Sequence, residues 1–297
     1  MKIYVPPIKC QGIKTKLVQF ILENISELKY NRWIEPFMGS GVVGFNARPK
    51  NAIFADINPH LINFYNAIKN NNVNSSIAKL FLIEEGKKLE NKGQEYYIEV
   101  RERFNRTNES LDFLFLNRSS FNGLLRFNRN GKYNVPFGHK PKRFSQSYIT
   151  KITNQIEYVQ KAIKIYNWEF VCKDFRQTLN LISKDDIVYC DPPYFGRHVD
   201  YYNSWTELDE DDLINMLNNN KFNYILSTWH SNKFRDNSQI SKFNESSTII
   251  TKEHFYHIGA KEENRNSMLE ALVMNFNRNT ETISKPNTFI SKQLQLF

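Results

Sequence analysis

The segment from Arg32 to Asp56 does most to restrict the fold. Arg32-Trp33-Ile34-Glu35-Pro36-Phe37 is an apolar run of strand length leading into the turn Met38-Gly39-Ser40-Gly41. Val42–Asn46 opens a helix, and Asn51–Ala55 is a second short strand ending at Asp56. Strand, glycine turn, helix, strand, acid is the opening βαβ unit of a doubly wound sheet, where ligands bind outside the carboxyl ends of the strands. Glycines allow the backbone to approach a ligand closely, although an ordinary strand-to-helix turn uses them too. An acid about twenty residues further on is placed to hold a ribose hydroxyl. We read the loop as a two-glycine form, Gly39 and Gly41, without the third glycine of a dinucleotide site.

Strand patterns return late in the chain at Phe170–Cys172, Asp186–Cys190, Tyr224–Thr228, Thr248–Thr251 and Leu269–Asn275. Apolar residues recur at helical spacing through Lys14–Leu28, Leu61–Ile68, Ile77–Leu89 and Tyr96–Asn105, after which a long irregular segment is expected. The sheet-forming halves therefore bracket a different kind of sequence. The expected organisation is α/β: a Rossmann-like catalytic domain of residues 1–58 and 150–278, an inserted, mostly helical domain of residues 59–149, and a polar, flexible tail of residues 279–297. No internal repeat is present.

Charge bears on the insertion. The chain carries a net +9, which favours a polyanionic partner or an anionic membrane surface. Its 23 Phe and 15 Tyr suit unstacked bases, although AT-rich coding alone also enriches Phe, Tyr, Lys, Asn and Ile. Between Asp112 and Glu157 there is no acid, while Arg118, Arg126, Arg129, Lys132, Lys140, Lys142, Arg143 and Lys151 all fall there. The three cysteines, Cys10, Cys172 and Cys190, lack metal-site spacing. Their odd number and the charged, proline-containing start suggest reduced thiols in a cytoplasmic protein. No apolar run approaches the roughly 20 residues that span a bilayer, so no membrane partner is expected.

The most specific chemistry lies in Val188-Tyr189-Cys190-Asp191-Pro192-Pro193-Tyr194. An apolar strand delivers an acid to its carboxyl end. Two prolines then fix φ and remove two backbone donors, leaving a stiff loop rich in acceptors. Such a loop suits an exocyclic amine, with one hydrogen on the Asp191 carboxylate and the other on the Pro192 carbonyl. The nitrogen lone pair is then free to turn toward an electrophile, and Tyr194 offers a ring on which a base can stack.

With these residues the chain resembles the Dam-like (D12) class of adenine-N6 DNA methyltransferases, and within it the EcoRV-type modification methylases. The similarity runs through Lys9–Lys14, Glu35–Gly41, Asp56, Phe115–Gly138, Asp174-Phe175, Asp191–Tyr194 and Ser227–His230. The resemblance implies an S-adenosylmethionine site in which Phe37 and Gly39 line the methionine and ribose portions. Asp56 would take the ribose, Asp174 and Phe175 the adenine, and Lys14 a further contact, with Asp191 bordering the same site. Cys10 stands where the family has tryptophan, so only its backbone contact is expected to persist. Catalysis falls to Asp191, Pro192 and Tyr194. By the same resemblance, Lys9 would approach target DNA, Arg126 would read the guanine before the target adenine, Phe121 and Asn122 would fill the gap left by a flipped base, and Pro136 would meet a thymine. Gly131 and Gly138 would allow a tight hairpin to enter a groove. Arg118, Lys140, Lys142 and Arg143 are expected on phosphates.

The implied activity is methyl transfer to N6 of an adenine extruded from double-stranded DNA, within a GAT-containing site. The EcoRV likeness favours GATATC, and GATC stays open. A cognate restriction endonuclease would be the functional partner. Alternatives are methylation of RNA adenine and a DNA-binding relative without catalysis. Cytosine N4 would favour Ser, and protein glutamine Asn, where Asp191 stands. No acid-acid-lysine constellation supports an endonuclease. His254 and His257 lack a third ligand, and methyl transfer to an amine needs no metal, so no metal is expected.

Overall fold

A computed structural model describes residues 2–194, 205–233, 235–255 and 267–276. The expected tail 279–297 and His257 lie outside the described residues. The sheet contains β1 (Trp33–Glu35), β2 (Asn51–Asp56), β3 (Asn167–Cys172), β4 (Ile187–Cys190), β5 (Asn223–Asn232), β6 (Arg235–Asp236), β7 (Thr248–Phe255) and β8 (Ser267–Met274). Its order is β3-β2-β1-β4-β5-β8-β7, with β6 beside β5. The five strands β3, β2, β1, β4 and β5 run parallel, and β8 and β7 complete the sheet antiparallel. Chain order reverses at β1, which lies between β2 and β4. That reversal is the switch point at which doubly wound sheets open a crevice.

Central strands of this kind are covered on both faces, and their sequences show it. All three residues of β1 and all four of β4 are buried. Trp33, Phe54, Ile187 and Tyr189 join an apolar cluster on one face, while Ile34, Val188 and Leu226 join another on the opposite face. The first face is covered by α1 (Val18–Glu23), α2 (Val42–Ala47) and the helical stretch that follows β2. The second is covered by α8 (Phe175–Leu179) and α9 (Glu207–Asn218), whose Leu213, Ile214 and Leu217 point inward.

Between β2 and β3 the chain forms α3 (Pro59–Lys69), α4 (Ser75–Lys92), α5 (Gln94–Thr107), α6 (Ser110–Ser119) and α7 (Gln146–Ile165). Their apolar faces share one continuous cluster with the sheet, joining Phe64, Phe104 and Phe113 to Trp33 and Phe54. A boundary at residues 149/150 falls inside α7. The expected irregular segment is correspondingly shorter. α6 escapes a periodicity test because every residue from Asp112 to Ser119 is buried, so no polar stripe interrupts it. α1 is also shorter than expected, at six residues.

The glycine turn requires another correction. Gly39-Ser40-Gly41-Val42-Val43-Gly44 supplies the third glycine after all. A Cβ at Gly44 would lie 2.3 Å from Phe54 Cε1 and 2.5 Å from Glu35 Oε2. Only glycine lets α2 sit this close to β1 and β2, which is the helix–sheet packing role of a third glycine.

Candidate active site

The site lies at the carboxyl ends of β1, β2 and β4. There a cavity of about 380 Å³ opens between the glycine turn, the start of α3 and the Asp191–Tyr194 loop. The β4 strand delivers Asp191 to its wall, followed by Pro192 and Tyr194. Lys14, from the N-terminal segment, places Nζ 2.8 Å from Asp191 Oδ1 and 4.8 Å from the Tyr194 ring centre. The lysine side chain is 4% exposed and the aspartate 22%. Burial raises the Asp191 carboxyl above its ordinary value, the Lys14 ammonium opposes the rise, and the Glu270 carboxylate adds to it. Among the described residues this lysine–acid pair leaves one carboxylate oxygen for a further donor.

β2 ends at Asp56, whose two oxygens are already oriented. Oδ2 accepts from the Gly39 N–H and Oδ1 from the Asn58 N–H, each at 2.9 Å. Burial raises the Asp56 carboxyl, and these backbone donors resist the shift. Asn58 in turn caps α3 by accepting from His60 N–H. The turn and the acid are thus one hydrogen-bonded unit. Gly39, at φ 48°, borders the cavity, and among the described residues, its two chain neighbours aside, none has an atom within 4 Å of where its Cβ would be.

The opposite wall is aromatic. Phe37 and Phe175 stack with ring centres 5.3 Å apart, and Trp205 packs 5.5 Å from each of them. Asp174 borders the same wall but also caps α8, accepting from Arg176 N–H at 2.8 Å. Cys10 lines the cavity too, with its thiol pushed up by burial and by Asp56. Every expected cofactor and catalytic position therefore borders a single cavity. Sequence reasoning missed Glu35, Tyr189 and Trp205, which also border it. Tyr189 was visible only as one more apolar strand residue, and Trp205 had no motif around it.

The residues expected on DNA form a second group outside that cavity. Phe121 is 49% exposed, Asn122 and Pro136 are exposed, and the Phe121 N–H donates to the Pro136 carbonyl at 2.9 Å. Asn122 adopts φ 52°, a conformation that asparagine tolerates better than most residues. Arg126 is held by Asn134, through Nε to Oδ1 at 2.9 Å and Nη2 to the backbone O at 3.1 Å. Lys9 is tied to α6, with its backbone N–H and C=O both bonded to the Asn117 side chain. Leu125, beside Arg126, reaches the cavity wall.

Two expectations fail here. Arg118 is 3% exposed and donates to the Pro7 carbonyl at 2.7 Å and to Gln155, so it is an internal tie with no access to phosphate. Gly138 is a contact rather than a turn, because a Cβ there would come 2.9 Å from the carbonyl oxygens of Ser119 and Ser120. Gly131, at φ 69°, does turn the chain between the bridged Phe127 and Tyr133. Lys140 and Lys142 are exposed, while Arg143 packs on the Tyr148 ring.

Comparison with known proteins adds an independent observation. A DNA adenine methylase of Vibrio cholerae is 35% identical over 194 residues, covering 63% of this chain and 64% of that relative. Type II methyltransferase M.MjaIII of Methanocaldococcus jannaschii is 34% identical over 233 residues, 71% of this chain and 77% of the relative. M.FokI of Planomicrobium okeanokoites is 28% identical over 285 residues, 93% of this chain and 43% of the relative. The chain thus spans less than two thirds of the length of the Vibrio relative. A putative methyltransferase of Escherichia coli superposes with a TM-score of 0.33 at 10% identity, over 92% of this chain and 91% of its own. The family model for D12 class N6 adenine-specific DNA methyltransferases matches residues 11–258, and the chain belongs to that family.

Proposed function

We propose that this protein transfers a methyl group from S-adenosylmethionine to N6 of an adenine flipped out of duplex DNA. The observation that carries the proposal is the convergence of Asp191, Lys14, Asp56 and the Phe37–Phe175–Trp205 aromatic wall on one cavity at the switch point.

The cavity suits a nucleoside cofactor. Gly39 leaves open the space a side chain would fill, the fixed Asp56 carboxylate has lone pairs to spare for hydroxyls, and the rings offer faces to a purine. The hydroxyl of Tyr189, which also borders the cavity, is buried and takes no hydrogen bond among the described residues. Phe37, Gly39, Asp56, Asp174, Phe175, Lys14 and the Cys10 backbone are assigned to holding it. When bound, S-adenosylmethionine supplies an electrophilic methyl group on a sulfonium.

The chain's own groups orient the acceptor. With Oδ1 held by Lys14, Asp191 offers Oδ2 to one hydrogen of the adenine amine. The Pro192 carbonyl takes the other, so the nitrogen lone pair turns out of the base plane. Asp191 also stabilises the positive charge that develops on nitrogen. Tyr194 stacks on the base, and positioning within a recessed cavity supplies much of the rate.

The region 59–149 is assigned to reading DNA. Arg126 takes guanine, Pro136 a thymine, Phe121 and Asn122 the vacated stack, and Lys9 approaches the target. Lys140, Lys142 and Arg143 meet phosphates. The favoured site is GATATC, with GATC the shorter form, and the functional partner is a cognate restriction endonuclease.

Single-molecule sequencing of DNA from cells expressing the protein tests this. Modified adenines are expected in one GAT-containing context, and Asp191→Ala should lower transfer at least about a hundredfold. Undiminished transfer by that variant, or no modified adenine with the folded wild-type protein, overturns the proposal.

A further inference from the structure

Tyr194 is anchored from across the sheet. Its hydroxyl donates to Glu270 Oε2 at 2.6 Å, a bond that spans 76 positions in sequence. Glu270 belongs to β8, opposite Trp229 of β5 and Lys252 of β7, and is 2% exposed. Its strand neighbours Ala271, Leu272 and Val273 are buried and apolar. A carboxylate in such surroundings is costly unless hydrogen bonds hold it, and an apolar residue would pack there without that cost. The bond to the phenol is charge-assisted and therefore strong. The Lys14 ammonium lies over the same ring and bonds Asp191. One buried acid, one cation and one catalytic acid thus meet around a single tyrosine.

We propose that Glu270 is a positioning residue, holding the Tyr194 ring at the angle on which the extruded adenine stacks. The role rests on Tyr194 being the base platform. The two prolines stiffen the backbone before Tyr194, but they do not restrain rotation about its side-chain bonds. The hydroxyl bond supplies that restraint, so the ring is set before the base arrives. Glu270 touches no reacting atom; it acts through the Tyr194 ring, and its charge also raises the Asp191 carboxyl directly.

Glu270→Gln, Tyr194→Phe and the double variant test the assignment, with 2-aminopurine at the target adenine of a duplex and with single-turnover transfer to adenine. Glu270→Gln keeps shape but weakens the bond, and Tyr194→Phe removes it while keeping the ring. Glu270→Gln is expected to slow transfer about tenfold and to brighten the flipped 2-aminopurine, because a loosely held ring stacks less. S-adenosylmethionine affinity and thermal midpoint should stay close to wild type. In the Tyr194→Phe background, Glu270→Gln should change fluorescence no further, since the bond is already gone. A further rise in fluorescence in the double variant, or wild-type rate and fluorescence in Glu270→Gln, overturns the role of Glu270. A wild-type protein that neither brightens 2-aminopurine nor methylates adenine overturns the platform role of Tyr194 itself.

Discussion

Glu35 should make this protein less stable as pH rises, and replacing it with Gln should remove that dependence. Glu35 ends β1 and is 2% exposed. Its Oε2 accepts from Trp33 Nε1 at 3.0 Å and Gly44 N–H at 3.1 Å. Burial pushes its carboxyl up to about 8, with Asp191 and Asp56 adding to the rise against those two donors. The unperturbed value is 4.5, so between these limits the folded state binds more protons than the unfolded state, and stability falls with rising pH. The whole span amounts to about 5 kcal/mol, of which about 3 kcal/mol develops between pH 5.5 and 8. In Glu35→Gln the amide oxygen can accept the same two bonds and nothing titrates. Urea unfolding of both proteins without ligand, at pH 5.5 and 8.0, measures the difference. The variant should gain on the wild type by about 3 kcal/mol across that interval, and any constant effect of the amide cancels. Parallel stability curves would refute a protonated Glu35.

Two further outcomes follow from close packing and base reading. Gly44→Ala places a methyl group 2.3 Å from Phe54 and 2.5 Å from Glu35, and should lower stability by about 1–3 kcal/mol at unchanged m-value. A loss under about 0.5 kcal/mol would mean α2 can withdraw from the sheet. Arg126→Ala should cost about 1–3 kcal/mol at the base before the target adenine and relax preference there. Equal loss on every sequence would make Arg126 a phosphate contact instead.

The parallel half of the sheet was readable because its signals are local. Trp33–Glu35 and Ile187–Cys190 are short buried runs that end at, or just before, an acid bordering the cavity, and an acid follows the glycine turn at the spacing a nucleotide site requires. The helical region was read less well, for two different reasons. In α6 complete burial from Asp112 to Ser119 erases the polar face that periodicity needs. In α7 the signal was present, since Ile149, Ile152, Ile156 and Val159 recur at helical spacing and are all buried.

Charge misled for a related reason. A cation in an acid-free stretch reads as a phosphate contact only if its surroundings are solvent, and solvent access is a tertiary property. Arg118 and Arg126 are eight positions apart in that stretch, yet one is sealed between Pro7, Tyr148 and Gln155 while the other stands partly open beside Asn134. Glu270 shows the same limit from the opposite sign: within an apolar strand it reads as a misplaced acid until the fold brings Tyr194 within 2.6 Å. Motifs therefore disclosed the groups that line the cavity, because chemistry fixes their local spacing. The groups that hold them in place come from distant segments, where no spacing rule applies. Trp205 and Glu270 belong to this second kind, and the geometry of the cavity depends on such supports as much as on the loop that carries Asp191 and Tyr194.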